Sequence, residues 1–153
     1  MRAVAIALAA LGASIPAAAA FTSTVNVTST PIVQQDLTRA AKFWQTVSLP
    51  GGATATPACH RLTVVKRAMT PARGNNGVLY PPQVIWAETR LGGCTISLSP
   101  AAWASRHEHP VAFCVTIAHE YGHALGIGDT AANALMTDQP ANRADGFCAH
   151  PPR

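Results

Sequence analysis

Residues 119–129 read HEYGHALGIGD, and seven residues later Met136 stands in the run Ala134-Leu135-Met136-Thr137. On a helix His119 and His123 are four residues apart, so both imidazoles leave one face and can grip a single ion, with Glu120 beside the open side of that ion. The helix should stop at Gly126. The chain has to turn sharply there to return a further donor to the same point, and glycine tolerates the positive φ of such a turn. By the chain's own composition a bare HExxH arises by chance with a probability of about 0.005, and requiring Gly126 and a donor at 129 lowers this to about 0.00002. The extension is therefore what makes the segment specific.

Two neutral imidazoles and the carboxylate of Asp129 complete three protein ligands for one catalytic Zn²⁺ and leave a fourth position open. An open position marks catalysis rather than scaffolding, and zinc-activated water with Glu120 as general base is the chemistry this pattern supports. Asp138, Asp145 and His150 are rival third ligands farther along the chain. A downstream glutamate is excluded by inspection, because Glu88, Glu108 and Glu120 are the only glutamates and none follows the motif.

The residues His119, Glu120, His123, Gly126, Asp129 and Met136 together resemble the metzincin zinc endopeptidases, and the aspartate at 129 is similar to the snapalysin group, while Ala134-Leu135-Met136 looks matrixin-like. The match covers residues 119–136. The resemblance implies a secreted zinc metalloendopeptidase of α+β class: a mixed, mostly parallel twisted sheet with an antiparallel edge strand, a backing helix and an active-site helix. It also implies Met136 packed beneath the metal, and a protein or peptide substrate added in extended form to the edge strand. On this sequence Cys94 to Ser99 is the stretch assigned to that edge. Thr137 stands where some of these proteins carry a tyrosine, and no cysteine-switch propeptide is recognisable.

The chain has 153 residues and a formal charge of +4, with its basic residues scattered. Nucleic acid is not an implied partner. Residues 1–20 read as a secretory signal peptide, from Arg2 through an apolar run to the alanines before Phe21, leaving residues 21–153 as one domain, a monomer with no membrane attachment after cleavage. Four cysteines in an exported chain suit two disulfides. Three pairings are possible, and Cys94 with Cys114 and Cys59 with Cys148 is the preferred one.

Phe21–Thr28 alternates as a first strand, and Pro31 opens a helix with Ile32, Leu37, Ala40, Ala41, Trp44 and Val47 at helical spacing, Asp36 on the polar side, and Pro50-Gly51-Gly52 as its stop. Arg61–Lys66 is strand-like, Pro71–Pro82 reads as a long loop, and Val84–Glu88 and Thr95–Leu98 flank Gly92-Gly93 as a hairpin. The active-site helix starts near Pro110. His107-Glu108-His109 and His60 read as solvated loop residues, Tyr121 as core or surface, and Trp44, Trp86 and Trp103 as packing. Two other readings of the same motif stand beside the protease: an exported zinc-binding or protein-binding module without turnover, and a zinc amidase acting on a non-protein amide such as a cell-wall crosslink.

Overall fold

A computed structural model describes residues 23–47, 57, 60–73, 77–129, 134–136 and 146–149. The expected leader, Cys59 and the rival ligands Asp138, Asp145 and His150 lie outside these residues. No described helix is long and apolar enough to cross a membrane.

A four-stranded sheet packs against two helices. Strand β1 (Val25–Asn26) leads into helix α1 (Pro31–Thr46), followed by β2 (Thr63–Lys66), a small pair β3 (Ala72–Arg73) and β4 (Leu79–Tyr80), then β5 (Ala87–Thr89) and β6 (Thr95–Leu98). Helices α2 (Pro100–Ser105), α3 (Pro110–Ala124) and α4 (Gly146–Ala149) complete the order. The sheet runs β1-β2-β6-β5.

Only the β2–β6 pairing is parallel; β1–β2 and β5–β6 are antiparallel. The sheet is thus mixed as expected but not mostly parallel, because β5 returns directly into β6 through a tight turn. Gly92 takes φ 67° there, and the Gly93 N–H donates to the Arg90 carbonyl at 2.7 Å. The assignment of Cys94 to Ser99 as the edge is also corrected. β6 lies between β2 and β5, and Ile96 and Leu98 within it are fully buried. Among the described residues both edges, β1 and β5, are antiparallel to their neighbours, and β5 is the one packed against α3.

Proline at the first turn of α1 and again of α3 presets helical φ where no N–H is needed. Helix α3 is buried on nearly every side, as an apolar helix between two layers must be. Phe113 and Ile117 pack on Val64, Ile96 and Leu98 of the sheet, whereas Cys114, Val115, Ala118 and Tyr121 meet Ala40 and Trp44 of α1. The Trp44 indole N–H donates to the Ala118 carbonyl at 2.9 Å and pins the two helices in register.

Two elements depart from the sequence reading. Pro71–Pro82, read as loop, contains the antiparallel pair β3–β4. Helix α2 is additional, and its signal is local: Ser99 caps it by accepting from the Ala102 N–H at 3.1 Å, and Pro100 follows. Helix α1 ends at Thr46 with Val47 as its cap, and Pro50-Gly51-Gly52, read as its stop, lie outside the described residues.

The preferred disulfide pairing is overturned. Cys114 bonds to Cys148, with Cα atoms 5.8 Å apart, and Cys94 is exposed and unbonded. Cys114 sits on the side of α3 that faces α1 and α4, away from the end of the sheet where Cys94 lies. Stacking of Phe43 on Phe147, with centroids 4.6 Å apart, seats α4 beside that bond.

Asp36, assigned to the polar side of α1, is 2% exposed and accepts from Arg39 Nη1 at 2.9 Å. Burial pushes its pKa up from 3.8 to about 6, with Arg39 opposing the rise. The folded state then holds this proton more tightly than the unfolded chain, so the contribution to stability is complete below pH about 4 and is lost as pH rises through about 6. Asp36→Asn should remove this dependence. The stability difference between variant and parent, followed by denaturant unfolding, should move in the variant's favour by about 2–3 kcal/mol between pH 4 and 7; a constant difference would mean that Asp36 titrates normally.

Candidate metal centre

His119 and His123 leave one face of α3 a turn apart, with ring centroids 4.6 Å apart and planes at 85°. Each ring is tied through Nδ1 to a backbone carbonyl: His119 to Leu135 at 2.7 Å and His123 to Ile127 at 2.8 Å. A carbonyl oxygen can only accept, so both Nδ1 atoms carry the proton and both Nε2 atoms present a lone pair. Those lone pairs face one Asp129 carboxylate oxygen, at 3.4 Å from His119 Nε2 and 3.3 Å from His123 Nε2. Three acceptor atoms turned towards one point repel one another unless a cation or proton lies between them. The donor set therefore fits a divalent metal of the zinc type, and it is the one such cluster among the described residues.

The return of Asp129 rests on a paired hydrogen-bond motif at the end of α3. Gly126 takes φ 85°, its N–H donates to the His123 carbonyl at 2.9 Å, and the Ile127 N–H donates to the Gly122 carbonyl at 3.0 Å. This is the six-to-one and five-to-two pattern of a Schellman cap. A Cβ at Gly126 would meet nothing within 4 Å, so the requirement for glycine is conformational, as the sequence reading expects. The Gly92 N–H also donates to the His123 carbonyl, at 2.8 Å, and clips the β5–β6 turn to the same helix end.

Below the histidines, the 3₁₀ turn Ala134–Met136 supplies the Leu135 carbonyl and buries Leu135 and Met136 completely. Met136 lies against Gly122: a Cβ added there would fall 2.5 Å from Met136 Sδ and 2.7 Å from Trp44 Cζ2. Gly122 is the site residue that motif reading passes over. Its signal is a glycine inside a helix, where it costs roughly 1 kcal/mol relative to alanine and so requires a packing reason.

Glu120 is 4% exposed, and its Oε2 atom has no hydrogen-bond partner among the described residues. Burial pushes its pKa up to about 8; the Thr89 hydroxyl opposes the rise, and the Asp129 and Glu88 carboxylates add to it. Thr89 Oγ1 is likewise buried without a partner in bonding geometry, so hydroxyl and carboxyl influence each other without closing a regular hydrogen bond. His107 and His109 are exposed ahead of α3, and Tyr121 is buried in the core.

Gly122→Ala should destabilise the fold by about 1–3 kcal/mol despite alanine's better helix propensity, because the Trp44 ring cannot retreat. Denaturant unfolding measures this directly, and a gain in stability would show that Met136 and Trp44 leave room.

Comparison with protein-family models, curated proteins and solved structures returns no match, so the site stands on its own geometry.

Proposed function

We propose that the chain is an exported zinc-dependent endopeptidase, with His119, His123 and Asp129 as metal ligands and Glu120 as general base. The observation that carries this reading is the convergence of two Nε2 lone pairs and one carboxylate oxygen, with a buried glutamate nearby whose Oε2 has no hydrogen-bond partner among the described residues. Zinc bound there would supply Lewis acidity towards a carbonyl or water oxygen and would lower the proton affinity of Glu120.

The protein's own part is positional. The carbonyls of Leu135 and Ile127 fix both imidazole tautomers, which leaves both Nε2 atoms facing Asp129. Glu120 can accept a proton from an attacking water and deliver it to the leaving amine nitrogen. A substrate polypeptide can lie along β5, whose outer edge makes no strand pairing among the described residues. The disulfide between Cys114 and Cys148 agrees with an oxidising compartment.

Purified mature chain should cleave an unfolded protein, and Glu120→Gln should lower the rate by at least about 100-fold while zinc content stays the same in both. Absence of cleavage by a folded, zinc-loaded parent would overturn the endopeptidase and leave a binding module or a narrow amidase as the function of the same centre.

A further inference from the structure

Residues alternate across a sheet, so the neighbours of buried Val64, Ile96 and Leu98 point away from the helices. That outer face holds a groove of about 600 Å³, lined among others by Val65, Arg67, Glu88, Arg90, Thr95 and Ser97. Its floor is already neutralised: Arg67 pairs with Glu88 and donates through Nε to the Ser97 hydroxyl at 2.9 Å. Arg90 is different. It is exposed, and its guanidinium makes no ion pair or side-chain hydrogen bond among the described residues. The unbalanced charge of the groove is therefore one positive charge, placed at its β5 side.

Glu88 of β5 and Arg90, which follows the strand's end at Thr89, both line this groove; Thr89 lines it too, and its hydroxyl lies near Glu120. A polypeptide added to β5 would lie about 4.8 Å away and set every second side chain on that same outer face, next to Glu88 and Arg90. Glu88 is screened by Arg67, so the charge such a side chain meets is that of Arg90.

We infer that this groove is a side-chain subsite that selects an acidic residue in the polypeptide bound along β5, with Arg90 as the selecting group. The inference rests on the proposed binding of extended peptide at that edge. It adds a substrate class, polypeptides with a carboxylate at one fixed position, to a centre whose ligands alone carry no such preference.

The test is fluorescence anisotropy with zinc-loaded Glu120→Gln protein, which reads binding without turnover. Labelled peptides of otherwise uncharged sequence carry a single Glu or a single Lys at each position in turn. At one position Glu should bind about 3- to 10-fold more tightly than Lys, and the difference should shrink in high salt. Adding Arg90→Gln should abolish the preference and Arg90→Glu should reverse it. Equal affinities at every position, or a preference unchanged in both Arg90 variants, would overturn the subsite. Cleavage of the uncharged peptide by the parent separates the two ideas: cleavage without charge preference overturns the subsite alone, and neither cleavage nor binding overturns both.

Discussion

Two hydrogen bonds from imidazole to backbone carbonyl govern the centre. Without the carbonyls of Leu135 and Ile127, either ring nitrogen of His119 and His123 could carry the proton and the rings could rotate; with them, both Nε2 lone pairs are committed to one point. Neither carbonyl belongs to the regular turns of α3. One comes from the chain just past the Gly126 turn, and the other from the 3₁₀ turn Ala134–Met136. The geometry of the metal group is thus a property of how the chain wraps back under its own helix, and the disulfide from Cys114 to Cys148 closes a loop around that whole segment. A covalent closure of this kind restricts the unfolded chain, which favours the wrapped state over alternatives that leave Asp129 away from the histidines.

Packing completes what the hydrogen bonds begin. Trp44 reaches from α1 to the Ala118 carbonyl one residue before His119, and its ring together with Met136 fills the space that Gly122 leaves open. Helix, backing helix and 3₁₀ turn are therefore interlocked through a single missing side chain. Displacing Met136 would move Leu135 with it, and so the carbonyl that orients His119. The methionine serves the metal group by contact and position, with no need for its sulfur to ligate.

How much of this is legible in the sequence depends on how far apart the interacting residues are. The pairing of His119 with His123, the stop at Gly126 and the return at Asp129 all lie within one short segment where helical periodicity and glycine's φ freedom decide the outcome. The β5–β6 hairpin is legible for the same reason, from two strand-like runs around Gly92-Gly93. The failures are non-local. Which cysteine meets Cys114 depends on how α4 docks, through Phe147 on Phe43, and no spacing rule contains that contact. The parallel pairing of β2 with β6 places Thr95–Leu98 inside the sheet, which a strand read by itself cannot reveal. Asp36 looks polar and exposed by residue type, yet it lies on the same helical stripe as Val33, Ala40 and Trp44, and tertiary burial overrides the chemical preference.

The alternation of strand β5 serves two sides of the molecule at once. Thr89 reaches into the interior beside Glu120, while Glu88 contributes to the outer groove and pairs there with Arg67. Glu88 nonetheless acts on Glu120 through the sheet, adding to the rise in its proton affinity. The same short strand lines the outer groove with Glu88 and stands beside the buried Glu120 with Thr89, so a polypeptide laid along it, as proposed, would lie next to both without a moving part.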